Sequence, residues 1–124
     1  MQQEISATRD KCGVETTIAA VGGKWKPMIL YALLSSPRRF GELTRLIPEI
    51  TQRMLTLQLR ELEEDGVIAR EVYKQVPPKV EYSLTPIGRT IEPILSLMQQ
   101  WGEHYANTRA TSEEHSSDQK RNEL

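Results

Sequence analysis

Apolar residues recur three and four positions apart along most of this chain, which is the spacing of a helix face. Val14, Ile18 and Val21 predict a first helix over residues 12–21, which ends at the glycine pair that follows. A second helix is predicted over residues 24–34, and the side chains expected on its buried face are Trp25, Ile29, Ala32 and Leu33. The first part of the chain is therefore expected to be helical.

A short helix followed closely by a longer one is predicted next. The short helix ends at Pro48, and its apolar residues are Phe40, Leu43, Leu46 and Ile47. The longer helix covers residues 51–65, Thr51 can cap it, and its buried side chains are Leu55, Leu59 and Leu62. Its opposite face carries Arg53, Thr56, Leu57 and Arg60, with Gln52 at the edge. Two helices joined by so tight a turn form a helix-turn-helix, although a plain helical hairpin is the alternative.

Strand patterns follow this pair of helices. Residues 67–74 are rich in β-branched side chains, and residues 79–84 alternate between apolar and polar positions. Residues 75–78, Gln-Val-Pro-Pro, connect the two strands. A hairpin placed directly after a helix-turn-helix is typical of a winged helix. The expected fold class is therefore α+β, mainly α, with this hairpin as the wing.

A long apolar stripe closes the folded part of the chain. Thr85 and Pro86 are a helix start, and the stripe then runs through Ile87, Ile91, Ile94, Met98, Trp101 and Tyr105. Pro93 interrupts the pattern, so a kink or a weakened turn is expected there. We interpret this stripe as a dimer interface, helped by Val14, Ile18 and Val21, although it could instead pack only on its own domain. N- and C-terminal dimerisation helices would then flank the winged helix-turn-helix.

Three regions follow from this pattern. Residues 1–11 are expected to be a flexible N-terminus, residues 12–107 the folded domain, and residues 108–124 a disordered polar tail. No apolar run reaches the ~18 residues of a membrane-spanning helix, and the N-terminus lacks a signal-peptide pattern, so we expect a cytoplasmic protein with no membrane partner.

Charge is balanced overall but uneven along the chain. The formal net charge is −1, yet residues 24–60 hold seven basic residues against two acidic ones, a local balance of +5. This segregation predicts one positive side that fits double-stranded DNA. The basic residues assigned to phosphates and the wing are Lys24, Lys26, Arg38, Arg39, Lys74 and Lys79. Lysines that flank a hairpin also protect edge strands from aggregation, which is the alternative for the last two.

The motifs of these regions occur together in one known family. The chain resembles the HxlR family of bacterial winged-helix, MarR-like transcriptional regulators over residues 12 to about 105. The motifs that carry the resemblance are GGKW (22–25), PRRFGEL (37–43), ITQRMLTLQLRELEEDG (50–66) and VPPKVEYSLTPIG (76–88). The resemblance implies a homodimer whose two recognition helices enter successive major grooves of a palindromic operator. The DNA-reading residues expected on that helix are Thr51, Gln52, Arg53, Thr56, Leu57 and Arg60.

The single cysteine is a candidate sensor. The resemblance implies that many members of the family sense oxidants or electrophiles through a cysteine just before the first helix, and Cys12 lies at that position. Some pair it with a second cysteine, which this chain lacks, so a Cys12–Cys12 link between subunits, a mixed disulfide or an adduct stays open. Lys11 and the helix start favour a thiolate, whereas Glu15 opposes it. A lone cysteine is also commonly a small buried residue, so a structural role stays open as well.

Other classes of function have less support in the sequence. A thiol-redox enzyme would need a second cysteine or an oriented base, and neither His104 nor His115 has a suitable carboxylate neighbour. A winged-helix module that binds only proteins is the second alternative, and the basic segment argues against it. One cysteine and two histidines give no metal-ligand cluster, and no cofactor is expected.

Overall fold

The structure is a computed structural model that describes residues 12–122, with side chains through Ser112. It divides into two compact units, residues 1–90 and residues 91–124. The elements are α1 (Gly13–Val21), α2 (Lys26–Leu33), α3 (Phe40–Leu46), α4 (Gln52–Glu64), β1 (Ile68–Tyr73), β2 (Lys79–Leu84), α5 (Pro86–Arg89) and α6 (Glu92–Asn122). The α+β, mainly α, winged helix-turn-helix is therefore confirmed. The flexible segment predicted over residues 1–11 lies outside the described residues.

The core of the first unit is built from leucines and isoleucines of four elements. Its fully buried side chains are Ile29, Leu30, Leu33, Leu43, Leu55, Leu59, Leu62 and Ile68. The leucine face predicted for α4 is confirmed. The start predicted for α2 is wrong, because residues 23–25 form a turn and the helix begins at Lys26. Gly23 has φ of 90°, a conformation that ends helices, so Trp25 precedes α2 instead of lying on its face.

The turn between α3 and α4 is closed by buried apolar residues and a cap. Ile47 and Ile50 are buried beneath the turn, whereas Leu46, another apolar residue of the predicted short helix, is 51% exposed. The Thr51 hydroxyl accepts a hydrogen bond from the Met54 N–H at 3.1 Å, as the sequence predicted. The start of α4 is thereby fixed against the core.

The two strands form an antiparallel hairpin that pairs with a third segment. Ile68 faces Leu84 at the base, and Tyr73 faces Lys79 near the tip. Arg38, between α2 and α3, forms an isolated bridge with Tyr82 through two backbone hydrogen bonds of 2.9 and 2.8 Å. No pattern in the sequence indicated this third pairing. It attaches the wing to the helix-turn-helix.

A close backbone approach holds the base of the hairpin against α5. A Cβ added at Gly88 would lie 2.0 Å from the carbonyl oxygen of Val67, so only glycine fits there. The Thr85 hydroxyl lies 2.7 Å from the Gly66 carbonyl oxygen and accepts a hydrogen bond from the Gly88 N–H. The helix start predicted at Thr85 and Pro86 is therefore correct.

The C-terminal helix differs from the prediction at both ends. α5 ends at Arg89, residues 90 and 91 form a turn, and Pro93 occupies the first turn of α6 instead of kinking a continuous helix. A proline ring would clash with the carbonyl four residues earlier, so the break comes before it. At the other end, α6 continues to Asn122, where the polar composition predicted a disordered tail from Thr108. Polar residues such as Glu, Gln, Lys and Arg are good helix formers, so low hydrophobicity does not exclude a helix.

Candidate nucleic-acid interface

The outer face of α4 is exposed and carries two unpaired guanidinium groups. Arg53, Thr56 and Arg60 are exposed, and Leu57 is 43% exposed although it is apolar. Within residues 12–112, the side chains of Arg53 and Arg60 have no hydrogen bond or ion pair. The Thr56 hydroxyl donates to the carbonyl of Gln52 at 2.9 Å, which leaves its lone pairs available. The residues predicted to read DNA thus share one accessible face.

A third face of α4 lies between the buried and the outer ones. Met54, Gln58 and Glu61 are half-buried there, and the Gln58 side-chain amide lies 3.3 Å from the Met54 sulfur. Glu61 forms an ion pair with Lys26, with 2.8 Å between Oε1 and Nζ. The Lys26 side chain is only 12% exposed. Lys26 was assigned to a phosphate from the sequence, but its ammonium group is engaged within the protein.

Two adjacent arginines before α3 have different surroundings. The Arg38 guanidinium donates to the Ala32 carbonyl at 3.1 Å and to the Ser35 hydroxyl at 2.8 Å. Arg39 is exposed, and its backbone N–H donates to the Glu42 carboxylate at 2.8 Å, which starts α3. Arg38, assigned to a phosphate from the sequence, thus fastens the end of α2 to the wing. Arg39 keeps its side chain accessible.

The wing carries a compact cluster of charges on one face. The Lys79 ammonium lies 3.3 Å from the Glu81 carboxylate and 5.0 Å from the centre of the Tyr73 ring. Glu71 is paired with Glu81 across the strands and accepts a hydrogen bond from the Tyr73 hydroxyl at 3.2 Å. Hydrogen bonding to Glu81, then desolvation and Glu71, raise the pKa of Tyr73. Lys79 is therefore neutralised locally.

Several exposed cations lie outside α4. Lys24 lies 4.7 Å from the centre of the Trp25 ring and stays exposed, and Lys74 is exposed beside the wing tip. Arg45 on α3 and Arg70 on β1 are exposed as well, and neither has an ion pair within residues 12–112. Sequence reasoning did not name these two arginines as site residues. Their basic character was the available signal, but only the packing shows that they are unpaired.

Two apolar helix faces are exposed, one in each unit. In the first unit no residue of α1 is buried, and Val14 and Ile18 are 67% and 61% exposed. In the second unit α6 exposes several large apolar side chains, which are Ile94, Leu97, Met98, Trp101 and Tyr105. The rings of Trp101 and Tyr105 stack with centroids 5.1 Å apart and an interplanar angle of 8°. Ile87 is exposed on α5, while Val21 and Ile91 are half-buried.

Cys12 lies at the N-terminus of α1 and is exposed. Its sulfur is 3.7 Å from Oε1 of Glu15, so the thiol donates a hydrogen bond to that carboxylate. An exposed thiol is accessible to small reagents. The described residues contain no cluster of potential metal ligands. Nor does any helix in that part of the chain have the length and apolar character to cross a membrane.

Comparison with known proteins agrees with this geometry. The model of the HxlR-like helix-turn-helix family matches residues 20–110. The chain belongs to this family. Among its relatives is the HTH-type transcriptional regulator YdeP of Bacillus subtilis strain 168, which is 66% identical over 94 residues that cover 76% of this chain and 73% of YdeP.

The chain is also similar to solved structures of HypR and YodB. The redox regulator HypR in its reduced form is 55% identical, with a TM-score of 0.76, and the match covers 81% of this chain and 99% of HypR. The quinone-bound YodB of B. subtilis is 32% identical, with a TM-score of 0.62, and the match covers 73% of this chain and 96% of YodB. The chain is a transcriptional regulator of the helix-turn-helix type.

Proposed function

We propose that this HxlR-family regulator is a homodimer that binds a palindromic operator with α4 in the major groove. The observation that carries this proposal is the outer face of α4, where the side chains of Arg53 and Arg60 are exposed and have no partner within residues 12–112. A surface arginine with a carboxylate nearby can donate its hydrogen bonds within the protein. The guanidinium N–H groups of these two arginines have no such acceptor within residues 12–112. A bidentate contact to guanine O6 and N7 uses those donors in the usual way.

The remaining residues of this face have complementary roles. Leu57 lies between the two arginines on the outer face and provides an apolar contact for a thymine methyl group. Thr51 and Gln52, at the N-terminus of α4, approach the phosphate backbone or the edge of the site, because helix N-termini favour anions. Arg39, Lys24 and Lys74 supply phosphate contacts around this face.

A homodimer would place two copies of α4 about 34–36 Å apart, one turn of DNA. The exposed face of α6 supports this arrangement, because Met98 and Trp101 are 49% and 66% exposed although both are large and apolar. Exposed Val14 and Ile18 on α1 add a second surface of the same kind. Sedimentation tests the interface: we expect a wild-type dimer and a monomer for Met98→Asp combined with Trp101→Ala. A wild-type monomer at micromolar concentration would exclude it.

DNA binding is tested by selection from a randomised duplex library with the wild-type protein. We expect a palindromic duplex that binds at least about 10³-fold more tightly than a scrambled duplex of equal length. The affinity should fall steeply with salt, because phosphate contacts release counterions. Equal affinity for both duplexes at every salt concentration would contradict the proposal and favour a protein-binding module.

Cys12 is proposed to respond to oxidants or quinones. HypR is named a redox regulator, and YodB has been solved in quinone-bound and diamide-treated forms. With one cysteine per chain, diamide would oxidise the Cys12 thiols of two subunits to a disulfide and accept both hydrogens itself. A quinone would instead form a carbon–sulfur bond with Cys12, and the thiol proton would pass to the reduced ring.

The test compares wild type with Cys12→Ser on the selected duplex. Diamide or benzoquinone should change the operator affinity of the wild type only, with a disulfide or a mass adduct at Cys12. A signal acts only if it interacts unequally with the DNA-binding and the other state. Unchanged affinity after complete modification would make Cys12 a structural residue.

A further inference from the structure

The ion pair between Lys26 and Glu61 links the recognition helix to another helix. Lys26 is the first residue of α2, and Glu61 lies in the last turns of α4. Their charged atoms are 2.8 Å apart, and the Lys26 side chain is 12% exposed against 42% for Glu61. Within residues 12–112, this is the only polar side-chain contact between α4 and another element.

The other contacts of α4 constrain its orientation less strongly. Leu55, Leu59 and Leu62 bury its inner face, but the hydrophobic effect that holds them is non-directional. The contact between Gln58 and Met54 lies within α4, so it cannot orient the helix against its surroundings. An ion pair with one partner largely buried is directional, because a change of geometry leaves the buried charge without the opposite charge that offsets its desolvation.

Rotation of α4 matters because its outer residues must meet base edges. Glu61 follows Arg60 directly and lies one helical turn after Leu57, so moving Glu61 moves both side chains. A bidentate arginine contact fails with a displacement of a fraction of a hydrogen-bond length. Phosphate contacts by long, exposed side chains adjust more readily.

We propose that Lys26 and Glu61 are positioning residues that fix the rotation of α4, so that Lys26 supports base recognition through Glu61 and not by binding a phosphate. The proposal rests on the proposed function, because it presupposes that α4 reads DNA. According to this proposal Glu61 favours specific binding, although it is an acidic residue on a helix that contacts DNA, a polyanion.

The first test replaces Glu61→Gln and, as the matched control, Glu64→Gln. Both variants remove one negative charge from α4, and Glu64 is exposed with no ion pair within residues 12–112. Affinities are measured for the duplex selected by the wild type and for its scrambled counterpart. We expect Glu61→Gln to lower the ratio of the two affinities roughly threefold to tenfold, and Glu64→Gln to leave or raise it. Because both affinities come from one preparation, the ratio does not depend on the fraction of folded protein.

The second test compares Lys26→Met with Lys24→Met over a series of salt concentrations. Lys24→Met should flatten the slope of log affinity against log salt by about 1 on both duplexes, since an exposed lysine neutralises a phosphate. Lys26→Met should leave the slope unchanged and lower the affinity for the selected duplex alone. The reversed pair, Lys26→Glu with Glu61→Lys, should recover part of the specificity that Lys26→Glu loses.

Three results would overturn the proposal. They are an equal effect of Glu61→Gln and Glu64→Gln on specificity, a slope change at Lys26 equal to that at Lys24, and no recovery in the reversed pair. Failure of the proposed function is distinguishable, because the wild type itself would then show no preference for any selected duplex.

Discussion

Helix α4 and the wing both carry basic residues, but the charges of these residues have different surroundings. On α4, Arg53 and Arg60 are exposed and unpaired within residues 12–112. On the wing, Lys79 is held by Glu81 and by the ring of Tyr73. The number of basic residues in a segment is therefore a poor measure of the charge that it offers to DNA.

The difference follows from the geometry of the two elements. Arg53 has no acidic residue three or four positions away on α4, so its own helix offers no partner. In the hairpin, side chains on one face stand directly opposite each other, and Glu71, Tyr73, Lys79 and Glu81 occupy neighbouring pairs. Lys79 and Glu81 are two positions apart on β2, so they share this face and form an ion pair, while the ring of Tyr73 contacts Lys79 from the opposite strand.

The largest effect is expected on α4. Arg53→Ala or Arg60→Ala should cost roughly 1–3 kcal/mol of binding free energy at the selected duplex, because a bidentate base contact is lost. Fluorescence anisotropy with selected and scrambled duplexes measures it. An equal loss on both duplexes would mean a phosphate contact, and no loss on either would remove the residue from the interface.

A smaller effect on stability is expected at Arg38. Arg38→Ala should lower the free energy of unfolding by about 1–2 kcal/mol, since it removes the hydrogen bonds to Ala32 and Ser35. Urea unfolding measures this change. The control is Arg39→Ala, which should weaken DNA binding and leave stability nearly unchanged. If the two variants exchanged these effects, Arg38 and not Arg39 would be the phosphate contact.

The two lysines of the wing should differ in their salt dependence. Lys74→Ala should flatten the slope of log affinity against log salt by about 1, whereas Lys79→Ala should change it less, because Glu81 already neutralises Lys79. The sequence alone treated the two lysines as equivalent. Equal changes would show that DNA displaces Glu81, and no change for either would remove the wing from the interface.

The smallest effect is expected on the pH dependence of stability at alkaline pH. The pKa of Tyr73 is raised above its ordinary value of 10.0 in the folded chain, so the folded state favours the protonated hydroxyl. The contribution of this hydroxyl to stability is therefore complete below pH 10.0. It is lost as pH rises through the folded-state pKa. Tyr73→Phe should therefore unfold with a weaker pH dependence above 10 than the wild type, as followed by circular dichroism. Superimposable curves would show that the charge cluster of the wing does not affect stability.

Local pattern alone was sufficient for most elements of the first unit. The spacing of Leu55, Leu59 and Leu62 predicted α4 over residues 51–65, and the structure places it at Gln52–Glu64. The caps at Thr51 and Thr85 were predicted, and both accept backbone hydrogen bonds. Hydrophobic periodicity and capping depend on residues within one or two turns, so the sequence contains them directly.

Only the tertiary structure decided which charges are free. Lys26 and Glu61 meet because the fold brings the first residue of α2 close to the last turns of α4, and Arg38 becomes a structural residue because it bridges to Tyr82. These partners lie far apart in the sequence, and no local spacing relates them. An ion pair depends on the separation of two side chains in space, whereas a helix depends on separation along the chain. For that reason the sequence was sufficient to predict the exposed outer face of α4, whereas the fold determined which basic residues are unpaired within residues 12–112.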